Sequence, residues 1–232
     1  MNSNDYTFCY VAFLDVLGFK EKIKNRTCQD ILNIYKNIKN PLKAAYVGDE
    51  NGKAQLIEAS KKVKTKVMSD SVCFYIEASE PDALLVLISC CSIFQAKLLK
   101  MEEPVLIRGG IVVGNMFAEG DTTFGPGLSN AYLLEEKCAK YPRIIMTKET
   151  FDLGKTNVSK PILAERLEGM VYGDSDEYIV VNCYQTLKDI NEDEKEDCSQ
   201  LVAHIETVLS TSTDESIRAK YLYIKRNLYA HD

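Results

Sequence analysis

The spacing of apolar residues along the chain is the feature that most constrains its fold. Residues 10–16 have the pattern of a buried strand, a period of two predicts strands at residues 62–67 and 72–76, and residues 105–120 are predicted to form a second hairpin. A helical period predicts helices at residues 21–42 and 79–100. Ser69 and Asp70 interrupt two of the strands and predict a hairpin, and Gly114 and Asn115 predict the turn of another. Hairpins separated by helices indicate an α+β domain, with helices on one face of a mainly antiparallel sheet.

The middle of the chain continues this alternation. Ser79 followed by Asp82 is typical of a helix N-terminus, with Ser79 as the N-cap. A glycine-rich loop that begins at residue 124 leads into a helix that ends near residue 141. The last strands are predicted at residues 143–147, 163–172 and 177–183. Gly173 and Asp174 are expected to form the turn of the final hairpin.

The sequence changes character after residue 184. Residues 188–200 are rich in acidic side chains, which predicts a solvated connector. Residues 201–209 and 217–229 have the spacing of two further helices. We therefore expect a main domain at residues 1–187 and a C-terminal helical tail at residues 188–232.

Composition excludes several classes of protein. The chain has 232 residues, 46% of them apolar and 27% charged, which is ordinary for a globular protein. The net charge of −6 argues against nucleic acid as a partner, and the absence of an apolar run of about 18 residues argues against a membrane span. The start "MNSNDYTF" has no leader-like pattern, and the eight cysteines form no CxxC pair, so we expect a cytoplasmic protein with reduced thiols.

Two histidines, both near the C-terminus, are too few for a zinc or Ser-His-Asp site, so carboxylates are the candidate chemical groups. Asp15 lies within the apolar stretch "VAFLDVLGFK", at the end of the first predicted strand, where an unpaired buried carboxylate would be costly. Asp70 lies at the first hairpin turn, so both acids could meet at one sheet edge and hold one or two divalent ions. The alternative is a purely structural role, in which Asp15 caps the next helix and Asp70 is an ordinary turn residue.

Five segments in order resemble the class III nucleotide cyclases. They are "FLDVLGF", "KVMSDSV", "IRGGIVVGNMF", "FGPGLSNAYLLEE" and "YPRIIMTKETF", and the match runs from about residue 10 to residue 184. Within that superfamily the chain is most similar to the small pyrimidine cyclases of bacterial Pycsar anti-phage systems, which share the "SDS" and "RGGI" segments and a helical tail. The resemblance implies a ferredoxin-like cyclase palm, with an antiparallel sheet, helices on one face and a C-terminal helical extension.

The resemblance also implies an activity. UTP, in preference to CTP, would be converted to the 3′,5′-cyclic mononucleotide and pyrophosphate, with two Mn²⁺ or Mg²⁺ ions as cofactors. The enzyme would be a homodimer with its sites at the interface, bound to neither nucleic acid nor membrane. Its product would be a second messenger of anti-phage defence that a separate cyclic-nucleotide effector reads.

Residue roles follow from the same resemblance. Asp15, Val16 and Asp70 would be the metal ligands, and Asp15, Asp70 and Arg108 would be the catalytic residues. The nucleotide would contact the backbone of the glycine loop and three side chains of the sheet and the second hairpin: Val16, Leu17, Gly18 and Phe19 in the loop, with Phe13, Lys66 and Thr122. Lys66 matches the adenine-contacting lysine of adenylate cyclases, but the matching aspartate is replaced by Thr122 or Thr123. That replacement argues against ATP and fits a pyrimidine, although each of these side chains could instead be structural.

The sequence departs from the family on the helix after the glycine loop. Class III enzymes carry an asparagine and an arginine there, at the positions of Ser129 and Leu133; a shift by one restores Asn130 but no arginine. A lost charge-stabilising donor raises a barrier by several kcal/mol. Arg108 and Arg143 are the available substitutes, although Arg108 in an apolar strand could equally form a structural salt bridge.

Two residues of the same helix, Tyr132 and Glu135, are expected to hold it in place. The missing arginine keeps open a second function, a catalytically silent nucleotide- or partner-binding module, and a purine nucleotide cyclase is a third possibility. A polymerase-like palm also uses two carboxylates, but the net negative charge argues against a nucleic-acid template.

Overall fold

A computed structural model describes residues 5–39, 60–194 and 197–230. The strands are β1 (Thr7–Val16), β2 (Lys64–Met68), β3 (Ser71–Glu77), β4 (Ile107–Glu119), β5 (Thr122–Phe124), β6 (Ile144–Met146), β7 (Val171–Gly173) and β8 (Ile179–Val181). The helices are α1 (Phe19–Asn25), α2 (Cys28–Lys39), α3 (Ala83–Leu99), α4 (Pro126–Cys138), α5 (Lys148–Lys155), α6 (Pro161–Gly169), α7 (Cys183–Glu194), α8 (Ser199–Thr211) and α9 (Glu215–Ala230).

The strands form one mixed sheet in the order β2-β3-β1-β4-β6-β8-β7, with β5 paired to β4. β1 lies between β3 and β4 and is antiparallel to both. β4 and β6 are parallel, and the connection between them contains α4, because parallel neighbours need a crossover. The predicted α+β class, with a mainly antiparallel sheet and a C-terminal helical extension, is confirmed.

The main core lies between one face of the sheet and α3. Leu14 and Phe74 from the sheet are fully buried there, and Phe74 meets Phe94 of α3 edge to face with ring centroids 5.8 Å apart. Helices α2, α5 and α7 also pack on α3. This enclosure explains why α3 is apolar on all sides, as a helix surrounded by other elements must be.

Helix α4 packs across the opposite face, over β4 and β1, and glycines allow it to come close. A Cβ atom at Gly110 would lie 2.6 Å from the carbonyl oxygen of Ala131, and one at Gly114 would lie 2.9 Å from the Cα of Gly127. Side chains at these positions would push the helix away from the sheet. We call the side of the sheet that carries α4 the site face.

Several predicted elements differ from the structure for local reasons. The helix predicted at 21–42 is two helices, because Arg26 is extended and Thr27 with Asp30 caps α2 through reciprocal hydrogen bonds. Its predicted end near residue 41 lies outside the described residues. Helix α3 begins after Asp82, not Ser79, and Asp82 adopts a left-handed conformation with φ 60°.

The predicted turn at Gly114 and Asn115 is also wrong, since β4 continues through both residues and turns at Gly120, where φ is 54°. Gly114 is required by its contact with α4 and not by a turn. Residues 163–169 belong to α6 instead of a strand, because Pro161 starts the helix and Leu163 and Leu167 share its buried side.

The predicted tail helices are present as α8 and α9, but the acidic connector is different. Residues 188–194 continue α7, which begins at Cys183 and crosses the proposed domain boundary. The division at residues 187 and 188 stays a prediction. Across residues 5–39, 60–194 and 197–230, no helix combines the length and apolarity that crossing a membrane requires.

Candidate active site

The end of β1 brings the two predicted carboxylates to one edge of the sheet. Asp15 is in register with Ser71 of β3 and with Arg108 of β4. The amide of Val16 donates a hydrogen bond of 3.0 Å to the carbonyl oxygen of Asp70. Asp15 and Asp70 therefore belong to neighbouring strand ends, as predicted from the sequence.

The turn that carries Asp70 is supported from α2. Ser69 has φ 54°, so it supplies the left-handed residue of a two-residue turn between β2 and β3. The hydroxyl of Tyr35 donates a hydrogen bond to the carbonyl oxygen of Ser69. The Tyr35 ring also meets Phe19 of α1 edge to face, with centroids 6.2 Å apart. One side chain thus ties the turn of Asp70 to the loop that follows Asp15.

Arg108 lies beside Asp15 and is held mainly by Glu135, which was expected only to hold its helix in place. Its Nε atom is 2.6 Å from Oε1 of Glu135 on α4 and 3.6 Å from Oδ2 of Asp15. The Glu135 side chain is only 2% exposed, whereas Arg108 is 25% and Asp15 20% exposed. Neither Nε nor Oε1 has a hydrogen bond of good alignment, so the contact is an ion pair set by distance.

The electrostatics of this group show a surplus of negative charge. Burial raises the pKa of Glu135 to about 7, although Arg108 opposes the shift, and Asp15 and Asp70 add to it. Burial also raises the pKa of Asp15, against the attraction of Arg108 and with the repulsion of Asp70. Two carboxylates thus share one guanidinium, and the charge of Asp70 adds to theirs. Such a group favours either a bound proton or a bound cation.

The loop that follows Asp15 has two backbone amides that are already hydrogen-bonded and two that can bind a ligand; its residues are Val16, Leu17, Gly18 and Phe19. The amide of Val16 donates to Asp70, and the amide of Leu17 donates a hydrogen bond of 2.9 Å to the carbonyl oxygen of Leu106. Within the described part of the chain, the amides of Gly18 and Phe19 make no backbone hydrogen bond. Gly18 has φ 72°, which favours glycine, and the position of its missing Cβ is open space. The Phe19 side chain is buried in the core, so only its backbone faces the loop.

The residues predicted to contact a base lie on the site face. Phe13 is paired with Cys73, which is also paired with Lys66, so the three side chains share one row across the sheet. Phe13 is buried and meets the ring of Tyr132 edge to face at 5.5 Å. The ammonium of Lys66 donates to the carbonyl oxygen of Gly120, in the turn that leads to the exposed Thr122. Lys66 and the Thr122 turn are thus close together, while their roles stay predictions.

The α4 positions that carry the family's asparagine and arginine are exposed here. Ser129, Asn130 and Leu133 all lie on the solvent side of the helix. Arg143, the other candidate cation, lies elsewhere and is buried between Asp174 and Asp176. Arg108 is therefore the cation that the structure places next to Asp15.

The candidate site offers a metal ion only a small number of protein ligands. No cluster of three or more histidine, cysteine, aspartate or glutamate side chains suited to a metal occurs in the residues that the structure describes. Mg²⁺ is commonly bound through only one or two carboxylates together with substrate phosphates. Asp15 and Asp70, with their surplus negative charge, fit that kind of site and do not form a cage of their own.

Comparison with known proteins finds matches among solved structures, whereas no known family profile and no curated protein matches the chain. The monomeric guanylyl cyclase domain of the RhoGC fusion protein from the aquatic fungus Blastocladiella emersonii is 12% identical, with a TM-score of 0.53 over 77% of this chain and 96% of that one. A double mutant of that domain gives a TM-score of 0.51 at 12% identity over the same shares, 77% and 96%.

The adenylyl cyclase CyaB from P. aeruginosa is 14% identical, with a TM-score of 0.45 over 76% of this chain and 94% of that one. At such identities the likeness concerns the fold alone. The TM-score of 0.45 for CyaB is too low to strengthen that conclusion. The order of the strands, the placement of α4 and the match to the fungal domain agree with one another. The chain has the fold of a class III nucleotide cyclase domain.

Proposed function

We propose that the protein is a metal-dependent nucleotide cyclase that acts on UTP in preference to CTP. The observation that carries the proposal is the meeting of Asp15, Asp70 and Arg108 at one end of the site face, in a cyclase fold. Two carboxylates suit a divalent ion that brings a triphosphate, and a partly exposed guanidinium beside them suits the phosphates themselves. Asp15 is then tolerated at the end of a buried strand because a cation offsets its desolvation.

In the proposed reaction the ribose 3′-hydroxyl attacks the α-phosphorus. The bond from O3′ to phosphorus forms, the bond from phosphorus to the pyrophosphate oxygen breaks, and the hydroxyl proton passes to solvent. Asp15, Asp70 and the backbone of Val16 would hold divalent ions, Mn²⁺ or Mg²⁺, which supply charge neutralisation and a lower pKa of the 3′-hydroxyl. Arg108 would stabilise the charge that develops on the transferred phosphate, in place of the arginine that α4 lacks.

The loop after β1 would orient the triphosphate. The amides of Gly18 and Phe19 are free to donate to phosphate oxygens, and the open space at Gly18 lets a ligand approach the backbone. Lys66 and Thr122 would face the base, and each can hydrogen-bond to a pyrimidine carbonyl. Phe13 would support the base from the sheet through its contact with Tyr132.

The biological setting is proposed from the resemblance to Pycsar cyclases. The active form would be a homodimer with sites at the interface. The cyclic nucleotide would be a second messenger of anti-phage defence that a separate effector reads.

The decisive experiment is incubation of the purified protein with each of the four ribonucleoside triphosphates and Mn²⁺ or Mg²⁺. Mass spectrometry would identify the cyclic products. We expect cyclic UMP as the main product, with less cyclic CMP. A main product of cyclic AMP or cyclic GMP would refute the pyrimidine preference and leave the reaction class intact.

Matched variants test the site. Asp15→Asn and Asp70→Asn keep side-chain size but weaken metal binding, so we expect turnover to fall by about 100-fold or more with the fold retained. Asp152→Asn is the control, because Asp152 is exposed on α5 and pairs only with Lys148 in the contacts described. Full activity of both site variants would refute the assignment.

One observation favours a second candidate function, a silent module that binds nucleotide without turning it over. Leu133 is exposed at the position of the family's arginine, so α4 offers no cation there. Binding of UTP with Mn²⁺, seen by calorimetry and without any product over hours, would support this alternative.

A further inference from the structure

Arg108 is held by acidic side chains at one end of its guanidinium group. The atom in contact with Glu135 and Asp15 is Nε, the inner nitrogen of the guanidinium. Across the residues that the structure describes, the shortest contacts of Arg108 with both acids are made by Nε, and the side chain stays 25% exposed. A guanidinium is a planar fork whose terminal groups bind a phosphate or carboxylate as a pair. An acid that holds Nε leaves the two terminal amino groups as donors for another partner.

The residue that holds Nε is itself rigid. Glu135 lies on the packed side of α4 with Gly127 and Ala131, each four residues from the next, and all three are buried. A Cβ on Gly110 would lie 2.9 Å from the amide nitrogen of Glu135 and 2.6 Å from the carbonyl of Ala131, so the helix backbone lies directly on β4 at this point. The carboxylate therefore has little freedom to follow a moving arginine.

We propose that Glu135 is a positioning residue that fixes Arg108 by its Nε, so that the two terminal amino groups face a phosphate of the bound triphosphate. The identity of the ligand rests on the proposed function, whereas the position of the guanidinium rests on the contacts above. Glu135 does not touch the ligand. It acts by preventing the terminal amino groups of Arg108 from turning onto Asp15. The carboxylate of Asp15 then stays available to a divalent ion.

The test is a double-mutant cycle between Glu135→Leu and Arg108→Ala. Loss of a charge-stabilising donor lowers kcat/KM by about 100-fold, and we expect that for Arg108→Ala. Glu135→Leu should lower kcat/KM by about tenfold or more, because Arg108 is present but free to rotate. The double variant should be no worse than Arg108→Ala alone, since Glu135 has nothing left to position. Glu135→Gln keeps one acceptor oxygen and should recover most of the loss seen in Glu135→Leu.

A buried acid outside the site is the control for a purely structural effect. Asp82 is buried before α3 and accepts hydrogen bonds of 2.8 Å and 2.7 Å from the amide and hydroxyl of Ser159. Asp82→Asn should lower the melting temperature without changing kcat/KM, and it should add independently to Arg108→Ala. Independent losses from Glu135→Leu and Arg108→Ala, or an unchanged kcat/KM in Glu135→Leu, would overturn the proposal.

The affinity for inorganic tripolyphosphate with Mn²⁺ provides a readout that does not need turnover. Calorimetry on the same four proteins should show the same loss and the same lack of additivity. If no nucleotide is cyclised while this cycle holds, the proposed reaction fails and the positioning role of Glu135 stands. If the wild-type protein does not bind tripolyphosphate, the positioning role is refuted.

Discussion

The buried arginine that anchors the C-terminal helix allows a quantitative prediction of stability. Arg143 is 3% exposed and lies with Nη1 2.6 Å from Oδ2 of Asp174, whose side chain is 9% exposed. Its guanidinium also lies near the stacked rings of Tyr141 and Tyr223, whose centroids are 4.9 Å apart. Arg143→Met keeps an unbranched stem and removes the guanidinium with its charge, leaving Asp174 without its closest partner.

The magnitude follows from what remains around Asp174. Breaking a buried ion pair by removing one partner costs about 3–5 kcal/mol. Asp174 keeps the amide of Ser175 at 2.7 Å and the hydroxyl of Tyr223 at 3.0 Å as donors, and a second guanidinium, that of Arg226, lies 3.8 Å away. These hydrogen bonds place the expected loss at the lower end, about 3 kcal/mol in the free energy of unfolding. Asp176 adds little, because its side chain is 43% exposed and solvent screens its charge.

The effect should depend on pH in a defined direction. Burial alone would raise the pKa of Asp174, but the Ser175 amide, the Tyr223 hydroxyl and Arg143 together hold it below its ordinary value. A carboxylate with a lowered pKa stabilises the fold at neutral pH, and that contribution is lost as the pH falls through the folded-state pKa. The difference between wild type and Arg143→Met should therefore be largest near pH 7 and narrow below about pH 4.

Urea unfolding followed by circular dichroism and tyrosine fluorescence measures the effect, since the chain has 13 tyrosines and no tryptophan. The control is Lys148→Met. Lys148 and Asp152 are also 2.7 Å apart, but their side chains are 73% and 54% exposed, so the expected loss is about 0.5 kcal/mol or less. A loss at pH 7 as small for Arg143→Met as for Lys148→Met would refute the reasoning.

Two further predictions concern the contact of α4 with the sheet. Gly110→Ala should lower the free energy of unfolding by about 2 kcal/mol and reduce turnover, because the new Cβ would lie 2.6 Å from the carbonyl of Ala131 and displace the helix. Urea unfolding and a cyclase assay measure the two effects, and a variant as stable as the wild type would contradict the prediction. The metal-free wild type should lose stability as the pH rises from about 4.5 to about 7, because burial raises the pKa of Glu135 to about 7 and the folded state binds its proton more tightly than the unfolded state does. Glu135→Gln should remove that slope, and parallel urea midpoints of the two proteins from pH 5 to pH 8 would contradict it.

The parts of the fold that were predictable from sequence rest on local signals. Asp15 ends an apolar strand and Ser69 with Asp70 forms a two-residue turn, and both features are confirmed where they were expected. The turn at Gly114 was predicted from the same kind of signal, but that glycine serves a contact with Gly127 on α4. A glycine needed for a turn and a glycine needed for close packing look alike in sequence, because the second depends on an element 13 residues away.

The role of Glu135 illustrates a signal that was present but indirect. Arg108 occurs in a strand of otherwise buried residues, so it requires a buried acid from another element. On α4, Gly127 and Ala131 mark by their small size the side that lies close to the sheet, and Glu135 continues that side four residues later, whereas Glu136 does not. The pair "LLEE" thus contains one buried and one exposed carboxylate, and the spacing from two small residues distinguishes them. Since the same spacing places α4 on Gly110, the packing of the helix and the position of the guanidinium have a common cause.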